Sequence, residues 1–352
     1  MEKVMIYGAG NMGKAVCKLL EGRCEVVCFL DKNMQLENTY IDDRFPILHP
    51  DNKAIDRNCK VVVAMVACTF ESVKIDLMNC GGGGYQSVVP AEELISHFYA
   101  EESIFFTNLW HLKCNIDIDA YMELFTDSIS KANWKMAYEW FAERKESGYF
   151  VEDRKKYFPD FLKAELDACM TMLDTAILGG DYVDEFLKGD ARRIVYALML
   201  NPPSTNYQKL TRKYLGKRVH LLDEEAGEFN EEVSATRMGM MEPFTSIETV
   251  DYRTKKVDDM GLPKFDYMRC YSMSRVEPIL KGAYDSIVKY RPIIAVNIGH
   301  YESDFIHVPV LLEKMCENYK FYLRLHSYQG NDCIMYALPR NMTFGKDNGR
   351  EK

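Results

Sequence analysis

Residues 4–20, VMIYGAGNMGKAVCKLL, set the strongest constraint on what this chain folds into. Val4 to Tyr7 is a short apolar run of the kind a buried parallel strand needs. Gly8, Gly10 and Gly13 follow as GxGxxG, and Val16, Leu19 and Leu20 then recur at helical spacing. The next apolar run, CEVVCFL, ends in Asp31. The first glycine of such a set makes the tight turn. The second lets backbone approach a phosphate, and the third lets the helix pack on the strand. The helix N-terminus then faces the anion, and an acid closing the second strand is placed to bind a ribose hydroxyl. The order predicts a Rossmann-like domain with Gly8, Gly10, Gly13 and Asp31 as its cofactor-binding residues.

KVVVAMVA (60–67) reads as a further strand, FESVKIDLMNCG as the helix after it, and YQSVVPAEELI as the closing element. The domain spans 1–100. That is room for a mononucleotide or a nucleotide-sugar, and small for a full NAD site. The tetraglycine Gly81–Gly84 reads as a turn, with a phosphate cradle as the alternative. On IYGAGNMGKAVCKLL, VVCFLDKN and FPILHPDN, the segment resembles the short Rossmann-like domain ahead of sugar acyltransferases and some bacterial sugar methyltransferases. In the acyltransferases this domain binds a nucleotide-sugar, and the resemblance implies the same ligand class here.

From 101 to 164 the strand pattern stops. Tyr121, Leu124, Phe125, Ile129, Trp134, Ala137, Tyr138 and Phe141 fall at helical spacing, as in a helical linker packing its aromatic residues on a neighbour. Alternation then resumes over 165–340. CMTMLDTAIL, RIVYALML, RVHLLDEEAGEF, KFDYMRCYS and RPIIAVNIGH read as strands. DYVDEFL, the stretch after NPPST, VEPILKGAYDSIVKY and VPVLLEKMCENY read as helices, and KFYLRLHSY and DCIMYALP close the chain as a strand pair. The order predicts a second doubly wound α/β domain with an antiparallel strand at its end. The fold class is therefore α/β, two Rossmann-like domains joined by a helical linker. DEEAGEFNEE (223–232) reads as a solvated loop, and 341–352 as a disordered tail.

KKYFPD, VYALMLNPPSTNYQKL, ILKGAYDSIVKYRPIIAVNIGHYESDF and YKFYLRLHSYQGNDCIMYALP make this second domain resemble the FkbM family of S-adenosylmethionine-dependent methyltransferases. The resemblance implies a class I methyltransferase fold, S-adenosylmethionine as cofactor, and methyl transfer to a hydroxyl of a sugar or small metabolite. The family's first strand ends in aspartate, and a glycine-rich turn follows. Here Asp174, Gly179, Gly180 and Asp181 occupy that stretch, with Ala176 where the family has its first glycine. The family's second strand ends in a glutamate that binds the cofactor ribose. Met199 stands there, with Asn201 close by as a partial substitute. Losing such a partner costs about 1–3 kcal/mol. The family's Asp-Ile-Glu-Gly reads Tyr271, Ser272, Met273 and Ser274.

Two functions stay open on these residues. One is a methyltransferase with a rebuilt site, for which His300 is the candidate base and His326 a weaker one. The other is a pseudo-methyltransferase that binds a nucleotide-sugar or a protein without methylating. The formal charge of −9 with no basic stripe argues against nucleic acid as a partner. No apolar run approaches the length of a membrane span. Eleven scattered cysteines without a CxxC pair, and no leader before the first strand, read as a cytoplasmic protein with reduced thiols and no metal site.

Overall fold

The computed structural model describes residues 1–64, 70–91, 112, 116–143, 155–199, 207–238, 247–272, 275–326 and 332–340. The expected tail 341–352, Asn201, Met273 and Ser274 lie outside the described residues. The chain divides into two compact units, Met1–Leu109 with Thr236–Thr249 and Ser327–Gln329, and the remainder.

The first unit contains β1 (Glu2–Tyr7), α1 (Asn11–Leu20), β2 (Cys24–Leu30), β3 (Tyr40–Ile41), β4 (Phe45–Leu48), β5 (Lys60–Val63), α2 (Phe70–Met78) and β6 (Val88–Pro90). Its sheet runs β3-β4-β2-β1-β5-β6, parallel except for the short β3–β4 pair. The order reverses at β1 and β5, so their carboxyl ends flank the crevice where this fold takes ligands. Val16 and Leu20 of α1 pack with Val4, Ile6 and Phe29 on one face of the sheet. Phe70, Val73 and Leu77 of α2 pack with Met5, Cys28 and Val61 on the other. The tetraglycine is a tight turn: Gly81 and Gly84 have positive φ, and the Arg57 guanidinium lies where a Gly81 side chain would sit.

The second unit opens with α3 (Ile118–Leu124), α4 (Ser128–Glu143) and α5 (Lys163–Ala168). There follow β7 (Thr171–Ile177), α6 (Asp181–Lys188), β8 (Ile194–Met199), α7 (Tyr207–Tyr214) and β9 (Val219–Leu222). Next come β10 (Glu225–Ala226), β11 (Glu231–Met238), β12 (Ile247–Lys255) and β13 (Tyr267–Cys270). The chain continues through α8 (Glu277–Gly282), α9 (Tyr284–Tyr290), β14 (Ile293–Asn297), α10 (Glu302–Met315), β15 (Tyr319–Leu325) and β16 (Cys333–Pro339). The main sheet runs β15-β16-β14-β13-β7-β8-β9, with β16 antiparallel to both its neighbours. This is a doubly wound sheet whose order reverses at β7 and β13. β10, β12 and β11 form a separate small sheet.

The aromatic helices pack into this unit's core. Trp134 of α4 stacks between Tyr121 and Phe305, with ring centroids 4.9 and 4.2 Å away. The edge strand β15 is shielded by the start of α4: Thr126 N donates to Phe321 O, and Leu323 N donates to the Ser130 hydroxyl. That shielding removes the open edge on which another strand would pair.

Two expectations change. VEPILKGAYDSIVKY is two helices, not one. The helix breaks at Ala283 (φ −111°, ψ 13°), just after Gly282, where an added Cβ would fall 1.9 Å from the Gly227 carbonyl oxygen. The acidic 223–232 segment is not simply a solvated loop: Glu225 is buried in β10, and β11 begins at Glu231.

Candidate functional site

The glycine turn of the first unit sits at the carboxyl end of β1. Gly8 has φ +106°, and its N–H donates to Leu30 O at 2.8 Å, which ties the turn to β2. Gly13 lies so close to this turn that an added Cβ would fall 1.9 Å from Gly8 O. Only glycine lets α1 approach that closely. Gly10 is different: its φ of −80° suits any residue, and an added Cβ would meet nothing within 4 Å. Gly10 is also the N-cap of α1, makes no side-chain cap bond, and is followed by no acid in the first turn. The first-turn N–H groups of a helix carry the positive end of its dipole. Asp31 braces the same turn, accepting Ala9 N and Asn33 N at 2.9 Å each, one per carboxylate oxygen. Each carboxylate oxygen keeps a second lone pair that can accept from a hydroxyl.

In the second unit, the residues at the reversal point turn toward one another. Asp174 lies in the middle of the buried run of β7, and Arg269 lies beside it on β13. Both are nearly solvent-free, and Arg269 Nη1 donates to Asp174 Oδ1 at 2.5 Å and to Ala176 O at 3.1 Å. The guanidinium lies 4.4 Å from the Tyr157 ring, 4.3 Å from Tyr182 and 5.2 Å from Tyr271. Such cation–π contacts offset part of the cost of burying the charge. Burial pushes the Tyr157 and Tyr271 phenols up, so these rings are neutral.

Of the two glycines after β7, Gly180 serves packing, whereas a Cβ added at exposed Gly179 would meet only the Asp181 carboxylate, at 3.9 Å. Gly180 has φ +86°, and an added Cβ would fall 1.9 Å from the Tyr214 hydroxyl. That hydroxyl donates to Gly180 O at 2.8 Å, and Lys213 Nζ donates to Gly179 O at 2.8 Å. Helix α7 thus holds the turn from above. Asp181 is the exposed first residue of α6, where a carboxylate favours the helix dipole. Met199 at the end of β8 is buried among Ile177, Leu210 and Tyr214. Its N–H donates to Glu224 O at 3.1 Å.

His300 follows β14. Its Nε2 lies 3.1 Å from Asn297 Nδ2, so with the amide donating, that lone pair is occupied. Burial pushes the imidazole down to about 4; Lys156 adds to the shift and Asp332 opposes it. The ring also meets Tyr271 edge-on at 5.5 Å. His326 Nε2 lies 2.7 Å from the Tyr336 hydroxyl, which donates to Lys156 O. Lys156 and Asp332 pair at 2.7 Å near the same edge. Burial alone would lower the Lys156 ammonium, but the Asp332 carboxylate and Tyr182 raise it on balance.

The structure therefore brings Gly8, Gly10, Gly13 and Asp31 together, and separately Asp174, Gly179, Gly180 and Asp181. Sequence reasoning missed Arg269, Tyr157, Tyr182, Lys156 and Asp332. A signal existed for the first: an arginine inside the apolar strand YMRC has to find a buried acid.

No family model matches the chain, and no curated protein matches it. Among solved structures, the chain is similar to methyltransferase FkbM from Methylobacillus flagellatus KT. The TM-score is 0.68 at 15% identity, covering 95% of this chain and 89% of that one. It also aligns with precorrin-6y C5,15-methyltransferase from Geobacter metallireducens GS-15 at TM-score 0.33 and 13% identity, over 54% of this chain and 93% of that one. The second score carries no argument. The first shows that this chain has a methyltransferase-type α/β fold.

Proposed function

We propose that this chain is a pseudo-methyltransferase whose ligand site is the glycine turn of the first unit, taking a nucleotide or nucleotide-sugar. The observation that carries the reading is the space at Gly10, set against its absence at Gly180. A Cβ added at Gly10 would meet nothing within 4 Å, so a ligand phosphate has room to approach the backbone there.

The second unit does not fit S-adenosylmethionine. The strand end that should hold the ribose is the buried thioether of Met199. Asp174 is engaged by Arg269, and the Gly179–Gly180 turn is tied down by Lys213 and Tyr214. His300 is neutral with its basic nitrogen engaged, so it does not serve as a general base.

The second reading is an S-adenosylmethionine-dependent O-methyltransferase acting on a hydroxyl of a sugar or small metabolite. Asp174, Gly180 and Asp181, which keep the outline of the family's first motif, favour it.

Thermal denaturation with UDP-glucose as the probe tests the proposal. A ligand bound only by the native state raises the melting temperature. A concentration-dependent rise that disappears in Gly10→Val is expected. A rise of the same size in that variant would place binding elsewhere.

A further inference from the structure

A parallel sheet needs cover on both faces. In the first unit α2 packs beside β6 on the face opposite α1. The connection from β4 to β5, residues 49–59, contains turns and no helix. A doubly wound sheet ordinarily carries a crossover helix at such a connection. Here a cavity of about 580 Å3 lies over the sheet instead.

Met5, Cys28 and Leu48 form its floor on three adjacent strands, and Ile55 of the 49–59 segment forms a wall. Val27 stands at its edge. The β1–β2 register skips this residue, with Val4 opposite Val26 and Met5 opposite Cys28, and the resulting bulge leaves Val27 43% exposed. Bulges re-aim a side chain in this way.

The two lysines of the rim pair with acids, and Asp56 accepts Asn58 N at 3.0 Å. Lys60 pairs with Glu2 at 2.7 Å, and Lys3 with Glu25 at 3.6 Å. Burial pushes the Cys28 thiol up to about 12 and raises Cys59 as well, whose thiol donates to Lys3 O. The lining therefore offers an apolar floor, with both lysines paired and the Asp56 carboxylate exposed at the rim.

We propose that this cavity is a second binding site, for an uncharged small molecule with a mainly apolar body. Its volume falls within the roughly 300–1,000 Å3 of small-molecule sites. Its fourteen lining residues fall short of the about 20–30 a side that a stable protein interface uses. The site is distinct from the glycine turn and does not depend on what that turn binds.

The neutral fluorophore N-phenyl-1-naphthylamine, titrated into the full chain, tests this. Saturable enhancement with one site per chain is expected. Val27→Trp and Ala54→Trp, both at exposed lining positions, fill the cavity from different segments. Each should weaken binding at least about tenfold, the loss of about 1.4 kcal/mol of contact. Two positions keep the test open if one variant fails to fold. Gly10→Val should bind the probe like the parent. Absence of saturation, undiminished binding in either folded tryptophan variant, or displacement by UDP-glucose would overturn the proposal.

Discussion

A methyl group built on Gly10 would meet nothing within 4 Å, whereas one built on Gly180 would fall 1.9 Å from the Tyr214 hydroxyl. Both glycines follow a parallel strand and open a helix. In the first unit, glycine leaves room for a guest. In the second, the room is used by the protein's own tyrosine, and the adjacent acid is used by its own arginine. The strand–glycine–helix pattern thus marks a place where backbone must be approached closely. It does not say by what.

The sharpest way to break this contrast is at the buried pair. Arg269→Met leaves Asp174 charged and uncompensated, and removal of one buried partner costs about 3–5 kcal/mol. Urea denaturation should show that loss, and adding Asp174→Asn should recover much of it. A single variant as stable as the parent would mean that Arg269 does not fill the site.

Next in size are the glycines themselves. Gly13→Ala drives a methyl group into the Gly8 carbonyl and should cost at least the roughly 1–3 kcal/mol of overpacking. Gly180→Ala adds left-handed strain of about 1–2 kcal/mol to the displacement of Tyr214. Gly10→Ala should cost no more than about 1 kcal/mol, the weakening of an N-cap. Equal costs at Gly10 and Gly180 would erase the distinction.

The smallest effect concerns His300. Its folded pKa, about 4, lies below the ordinary 6.5, so the unfolded chain takes up the proton first as pH falls. The His300 contribution is therefore intact above about pH 6.5 and is lost as pH falls toward 4. His300→Gln should flatten this part of the urea-midpoint profile. A histidine poised as a catalytic base would instead titrate near neutrality.

Much of the fold was legible because periodicity is local. The runs VMIY, CEVVCFL and IIAVN became β1, β2 and β14, with helices between them. The turn at Gly8 and the close helix packing at Gly13 were legible too, since one continuous stretch carries both. The need for glycine at 282 was not, because it comes from the Gly227 carbonyl, far away in sequence. The Asp174–Arg269 pair joins residues 95 apart, and Tyr157 comes from a third segment. Spacing along the chain carries no information about such meetings. The apolar end of β8 was readable in advance as Met199. Only the structure shows that its surroundings are apolar as well.

The most direct measurement is calorimetric titration of the full chain with S-adenosylmethionine, alongside UDP-glucose. Saturable heat is expected with UDP-glucose, and none with S-adenosylmethionine at several millimolar. Sub-millimolar binding of S-adenosylmethionine would contradict the reading of the second unit as a filled site.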